Sequence, residues 1–146
     1  MPTVEETIVI NRPKADVFAY MQDPTKTTLY NSNLVEFEKT SDGPVGKGTQ
    51  YRGVAKVAGR KIEWTSEVTE FEENRRWHNR SMESPVSFEI DVTVKDLEGS
   101  THVTFHQESA SFFEGLLGKL ADPVVTPIYA RDVRKNLAKL KEILET

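Results

Sequence analysis

The stretch RKIEWTSEVTEF, residues 60–71, alternates apolar and polar side chains over most of its length. The members that share its apolar face are Ile62, Trp64, Ser66 and Val68, and those between them are Lys61, Glu63, Thr65 and Glu67. Successive side chains of a β-strand point to opposite faces. This period of two therefore predicts a strand with one covered face and one face in water.

The same period continues on both sides of this stretch. It predicts further strands at residues 34–39, 49–57, 75–82, 86–96 and 101–110. Glycine, aspartate, asparagine and proline cluster between these segments, as they do in tight turns. Six consecutive strands joined by short turns predict an antiparallel meander.

The segment before the meander predicts one strand and two short helices. β-Branched residues at 3–10 favour a strand. Pro13 and the pair Asp23-Pro24 suit helix starts, because the fixed φ of proline fits the first turn, where its missing N–H is not needed. We therefore predict helices at 14–21 and 25–30.

The segment after the meander has a helical period. Apolar residues recur at spacings of three and four from Phe113 to Leu144, which predicts one long helix. Pro123 and Pro127 lie inside it, and each removes a backbone hydrogen bond, so a kink or break is expected near residues 122–127.

Composition narrows the classes of function. The 146 residues predict a single domain over 1–146. The chain has no cysteine and three scattered histidines, His78, His102 and His106, so we expect no disulfide, metal cluster or cofactor. A net charge of −4 disfavours nucleic acid and anionic membranes as partners. Since neither a secretory signal nor a long apolar run is evident, we expect a cytoplasmic protein without membrane insertion.

The order of elements and several short motifs resemble the START-like (SRPBCC) superfamily, in particular its polyketide cyclase/dehydrase branch. The motifs are Ile10 to Tyr20 followed by Asp23-Pro24, Gly43 to Tyr51, Gly59-Arg60, Glu67 to Glu72 and Leu137 to Lys141. The sequence departs from the pattern at Tyr30-Asn31, where many relatives place a tryptophan. The resemblance implies an α+β helix-grip fold, in which a curved antiparallel sheet of about seven strands wraps around the long C-terminal helix, with two short helices after the first strand.

The resemblance also implies an internal cavity, and alternation indicates which side chains face it. We predict that the ligand-binding residues are those in phase with the apolar face of each strand, together with apolar residues of the helix. They are Tyr51, Trp64, Ser66, Trp77, Asn79, Ser81, Phe88, Ile90, Phe105, Gln107, Leu116, Leu120 and Val124. Asn79 and Gln107 are expected either to meet a ligand or to hydrogen-bond each other.

Almost none of these groups ionises near neutral pH, whereas general acid–base catalysis needs a titratable group near the substrate. We therefore predict no catalytic residue and favour binding of a small hydrophobic molecule such as a lipid, polyketide or aromatic metabolite.

Two alternatives remain open. The chain is a cyclase or dehydratase if a β-bulge, for which Gly53 and Gly59 are candidates, turns Glu63, Glu67 or Glu89 inward beside Tyr51. It is a protein-interaction module if Trp64, Trp77 and their neighbours fill the cavity. The sequence leaves the oligomeric state open between monomer and homodimer.

Overall fold

A computed structural model describes residues 3–57, 59–109 and 122–146. The helices and strands, in chain order, are β1 (Thr3–Ile10), α1 (Lys14–Gln22), α2 (Thr27–Tyr30), β2 (Leu34–Lys39), β3 (Gln50–Val57), β4 (Arg60–Glu72), β5 (Arg76–Ser81), β6 (Phe88–Leu97), β7 (Ser100–Ser109) and α3 (Asp122–Glu145). The predicted strands and the two short helices are confirmed to within a few residues, and the long helix is confirmed from Asp122 onward. No helix among these residues is long and apolar enough to cross a bilayer.

The seven strands of the described residues form one antiparallel sheet in the order β1-β7-β6-β5-β4-β3-β2. The last six strands are a meander, as predicted, and β1 returns to pair with β7. The sheet curls into a half-barrel with α3 packed on its concave face. This architecture is the helix-grip fold that the sequence predicts.

Two bulges change the alternation of the sheet. One lies between Leu34 and Glu36 of β2, and the other lies between Val68 and Glu70 of β4. An extra residue in one strand bends the strand and shifts the phase of the residues beyond it. The bulges therefore fall elsewhere than at Gly53 and Gly59, and the pairing of β3 with β4 is continuous from Gln50 to Val57.

The helix α3 is anchored at its C-terminal end to the end of β1. The Arg12 guanidinium donates to the carbonyl oxygen of Leu144 at 2.9 Å, and Lys141 Nζ donates to the carbonyl oxygen of Val9 at 2.7 Å. The buried residues of this helix, Val133, Leu137, Leu140 and Leu144, recur at three and four positions and pack into the core. The helix continues without a break through Pro127. The predicted stretch from Phe113 to Ala121 lies outside the described residues.

The short helix α1 closes one end of the sheet. Its Phe18 ring meets the rings of Phe71 and Trp77 edge-on, with centroid distances of 5.5 and 5.3 Å. Val17 and Phe18 are buried, so α1 fills part of the interior at this end. The remaining space lies further along the concave face.

Candidate functional site

A cavity of about 300 Å³ lies between the concave face of the sheet and α3. Its walls come from the helices α1, α2 and α3 and from all seven strands. Most of the lining is apolar, with Met21, Leu34, Ile62, Ile90 and Phe105 among its members. A volume of this size lies at the lower end of the range of ligand pockets.

Four aromatic rings form one side of the cavity. Phe37 stacks on Tyr51 with a centroid distance of 4.8 Å and lies 6.0 Å from Trp64. Phe88 meets Trp64 edge-on at 5.2 Å. The bulge in β2 explains why Phe37 belongs to this group, because it lets both Leu34 and Phe37 face inward although they are three positions apart.

Gln107 belongs to a chain of hydrogen bonds that joins the sheet to α3. The Tyr129 hydroxyl donates to Gln107 Oε1 at 2.7 Å, and Gln107 Nε2 donates to Ser109 Oγ at 2.9 Å. Asn79 is not a partner, because Ile90 stands between it and Gln107 in the sheet, so the two amides are two strand spacings, or roughly 10 Å, apart. The expected alternative of a mutual hydrogen bond is therefore wrong.

Two amides of the lining keep an unpaired atom. Asn79 Oδ1 on β5 and Gln22 Nε2 at the end of α1 are buried, and neither has a hydrogen-bond partner among the described residues. An unmade hydrogen bond of this kind costs about 1 to 3 kcal/mol. Both amides turn about terminal torsions with broad minima. A polar group of a ligand placed beside these amides could therefore form a hydrogen bond with them.

The titratable groups among the described lining residues are tyrosines. Burial raises the pKa of Tyr51 to about 12 and that of Tyr129 to about 12, and it raises the pKa of Tyr30 as well. No aspartate, glutamate, histidine, lysine or arginine belongs to the described part of the lining. This part of the wall is therefore uncharged at neutral pH.

One carboxylate of the concave face lies outside the lining. Glu6 of β1 is in phase with the buried Val4 and Ile10 and lies opposite Phe105. Its Oε2 atom is 3.3 Å from Arg134 Nη1 of α3. The acid is thus paired at the edge of the sheet and does not line the cavity.

The convex face carries the carboxylates that the enzyme hypothesis needs inside. Glu63 accepts a hydrogen bond from Arg52 Nε at 2.9 Å, Glu67 Oε2 lies 3.4 Å from Gln50 Nε2, and Glu89 lies 3.2 Å from His78 Nε2. These acids follow the outward phase of their strands and face away from Tyr51. The ring of His78 lies on this outer face between Glu89 and Asp91.

Asp91 is the centre of this outer cluster. Burial opposes the ionisation of Asp91, but hydrogen bonds from Arg76 and His78 outweigh it and lower the pKa of this carboxyl. The guanidinium of Arg76 also reaches Glu70 at 3.0 Å. The polar side of the sheet is therefore held by ion pairs, and the apolar side encloses the cavity.

Eight of the residues selected from the sequence line the cavity: Tyr51, Trp64, Trp77, Asn79, Phe88, Ile90, Phe105 and Gln107. Ser66 and Ser81 do not belong to the lining. Ser66 is 1% exposed within the sheet, between Tyr51 and Ser81, and Ser81 Oγ accepts a hydrogen bond from the backbone N–H of Phe88. Leu116 and Leu120 lie outside the described residues, as does the side chain of Val124.

Several lining residues were missed by the alternation of the meander. They come from β1, the first strand of the meander and the three helices, and they include Val4, Met21, Gln22, Tyr30, Leu34, Phe37, Tyr129, Val133 and Leu137. A signal exists for those of α3, since Tyr129, Val133 and Leu137 follow one another at four-residue spacing and share a helix face. The helices α1 and α2 are too short to give such a signal.

A curled sheet, a gripped helix and an apolar cavity between them define a class of proteins, the helix-grip proteins with a hollow interior. Residues 1–145 match the model of the polyketide cyclase / dehydrase and lipid transport family, and the chain belongs to that family. No curated protein matches the sequence.

Three solved structures illustrate the similarity. A protein of Thermus thermophilus has a TM-score of 0.81 and 22% identity, over 97% of this chain and 95% of that one. The Zhui aromatase/cyclase of a Streptomyces species has a TM-score of 0.77 and 18% identity, over 98% and 93%. A START superfamily protein of Mycobacterium smegmatis has a TM-score of 0.76 and 14% identity, over 98% and 97%. At such identities the likeness shows the fold alone.

Proposed function

We propose that the chain binds one small, uncharged and mainly apolar molecule in the cavity between the sheet and α3, without catalysing a reaction on it. The observation that carries this proposal is the lining, which combines a continuous apolar and aromatic wall with a few polar atoms. Pockets for small molecules have this composition, because apolar contact supplies affinity and a few polar groups fix orientation.

The absence of charged groups from the described lining supports an uncharged ligand. A carboxylate or ammonium group taken into such a wall loses its hydration and finds no counter-ion, which costs several kcal/mol or more. The hydroxyl of a ligand, in contrast, finds acceptors and donors in the amides of Asn79 and Gln22. We propose Tyr51, Trp64, Trp77, Phe88, Ile90, Phe105 and Gln107 as the other contact residues.

The two alternative functions receive less support. A cyclase or dehydratase needs a proton-transferring group at the ligand, and the described lining offers only tyrosines whose pKa values are raised. An interaction module needs an interior filled by side chains, whereas Trp64 and Trp77 leave about 300 Å³ between them and the other walls.

Isothermal titration calorimetry with three ligands of equal chain length tests the proposal at neutral pH. We expect 1-decanol to bind with one site per chain, and decanoate and decylammonium to bind at least about tenfold more weakly, because their charge is unpaired inside. Equal affinity for all three, or no binding of 1-decanol, would contradict the proposal.

A variant locates the site. Phe105→Ala removes a partly buried ring of the lining and should weaken binding of 1-decanol about tenfold. Val9→Ala is the control, because Val9 is an exposed apolar residue on the outer face of β1. Equal affinities of the two variants would place the ligand elsewhere.

A further inference from the structure

Gly53 occupies a position that no side chain can share with Trp64. Gly53 and Trp64 are direct partners across β3 and β4, and both belong to the concave face. A Cβ atom built on Gly53 would lie 2.7 Å from Cε2 and Cη2 of the Trp64 indole and closer still to Cζ2. The indole therefore lies along the sheet, over the backbone of Gly53, instead of standing up into the cavity.

The neighbouring strand completes this arrangement. Phe37 of β2 is the partner of Gly53 on its other side, so Gly53 lies between two aromatic residues in one row across three strands. The missing side chain leaves room for the indole to lean toward Phe37, with the ring centroids 6.0 Å apart. Glycine in the interior of a strand weakens that strand. It is nevertheless found where another group approaches the backbone closely, as the indole does here.

The far side of the indole faces the cavity. Trp64 belongs to the lining, and Phe88 meets it edge-on at an interplanar angle of 85°. An indole lying along the wall and a phenyl ring standing against it form an open corner. Aromatic rings pair in offset-stacked and edge-to-face arrangements, and such pairs gain free energy beyond the burial of their area, so a flat ring suits this corner.

We propose that Gly53 is the residue that sets the size and shape of ligand the cavity accepts, because it seats Trp64 against β3 and so makes the indole a stacking surface for a flat, uncharged ring system. This inference rests on the proposed binding function and adds to it the class of ligand and the residue that selects it. Gly53 is a positioning residue, and Trp64 is the residue that touches the ligand.

Two neutral probes with the same number of carbon atoms test the inference, the flat 2-naphthol and the flexible 1-decanol. We expect both to bind the parent protein. In NMR spectra, 2-naphthol should shift the indole N–H and ring signals of Trp64 through its ring current, and 1-decanol should shift them little. The signals are assigned with a Trp64→Phe variant.

The decisive variant is Gly53→Ala. Its methyl group displaces the indole from β3 into the cavity, so the affinity for 2-naphthol should fall about tenfold or more. The control is Gly46→Ala, because an added Cβ at Gly46 meets no atom within 4 Å, and its affinity should equal that of the parent.

A double variant, Gly53→Ala with Trp64→Leu, removes the clash and keeps the test valid if Gly53→Ala alone fails to fold. It should still bind 1-decanol, which shows that it folds with an open cavity, and it should not regain the parent's affinity for 2-naphthol. Bound 2-naphthol that leaves Trp64 unshifted, or full affinity for 2-naphthol in Gly53→Ala or in the double variant, would overturn this inference while the proposed function stands. If the parent bound neither probe, both the inference and the proposed function would be overturned.

Discussion

Asn79 and Gln107 are two amides on the same concave face that meet different surroundings. Gln107 accepts from Tyr129 and donates to Ser109, so removing it would leave a buried phenol without an acceptor. Asn79 Oδ1 accepts no hydrogen bond from any described residue, so its removal leaves none of them unpaired. The penalty for removing a polar side chain depends on the partner it leaves behind.

We predict opposite effects of the same replacement at these two positions. Gln107→Leu should lower the free energy of unfolding by about 1 to 3 kcal/mol, and Asn79→Leu should leave it unchanged or raise it by about 1 kcal/mol. Urea denaturation of the unliganded variants measures both. Equal losses at the two positions would mean that Asn79 is as well paired as Gln107.

The buried tyrosines make stability depend on alkaline pH. The native state keeps the Tyr51 proton up to about pH 12, whereas the unfolded chain releases it near its ordinary value of 10.0. Because the folded protein then binds more protons than the unfolded chain, the stabilisation is complete below pH 10 and is lost as the pH rises toward 12.

Tyr51→Phe removes this contribution, so its free energy of unfolding should fall less steeply between these pH values than that of the parent. Urea denaturation at a series of pH values is the measurement. An unchanged slope in the variant would show that the hydroxyl of Tyr51 titrates normally in the native state.

Which single residues line the cavity could be predicted from the sequence only where a strand keeps its alternation. Trp64, Phe88 and Phe105 line the cavity, as their phase predicts, because alternation holds in the parts of the strands that carry them. Phe37 was missed because no inward face was assigned to residues 34–39, where the bulge beside Val35 interrupts the alternation. Gln22 was missed because α1 is too short for a helical period to be read.

Among the elements, the β6–β7 hairpin shows how a turn is specified and where it is strained. The pair Leu97 and Ser100 closes a two-residue loop in which Glu98 has a φ of 47° and Gly99 a φ of 94°. Two positive φ values match a type I′ turn, which favours asparagine followed by glycine. Glutamate at the first position is unfavourable, because left-handed backbone is costly for most side chains.

We predict that Glu98→Asn stabilises the protein by about 1 kcal/mol. The reverse change tests the same reasoning at the β4–β5 turn, where Asn74 has a φ of 60°, and Asn74→Glu should cost a similar amount. Thermal unfolding followed by circular dichroism compares the two variants with the parent. A loss of stability in Glu98→Asn would contradict the turn assignment.

The bounds of the elements followed from the sequence where caps and turns are explicit. The helix α2 begins two residues later than predicted, because Asp23 Oδ1 accepts from the backbone N–H and the hydroxyl of Thr25 and holds that residue in a turn. The strands of the meander agree closely with the predicted ranges, since glycine and asparagine punctuate them. The alternation of apolar and polar residues does not show which end of the concave face is filled by Phe18 and which end is hollow.

At the scale of the whole molecule, the curvature of the sheet produces both the packed core and the cavity. Pairing of β1 with β7 and the bulges in β2 and β4 bend the sheet around α3. Side chains of α1 fill one end of the enclosed space, and the remaining part stays open between Trp64 and α3. An apolar hollow lowers the stability of a fold, and a bound ligand offsets that loss.

We therefore predict that a neutral ligand stabilises the whole molecule. At a free concentration one hundred times its dissociation constant, 1-decanol should add about 2.7 kcal/mol to the free energy of unfolding, which corresponds to a rise of roughly 5 to 10 °C in Tm. Differential scanning calorimetry measures the shift. Decanoate at the same concentration should give a much smaller one, and an equal shift would contradict the uncharged site.

Native mass spectrometry of the protein purified from its own host, and again after incubation with an organic extract of that host, tests the central claim most directly. The account predicts one neutral organic molecule per chain, released on collisional activation and retained in smaller amount by Phe105→Ala than by the control Val9→Ala. A chain that carries nothing and takes up nothing from the extract, or that retains an anion or a cation instead, would contradict it.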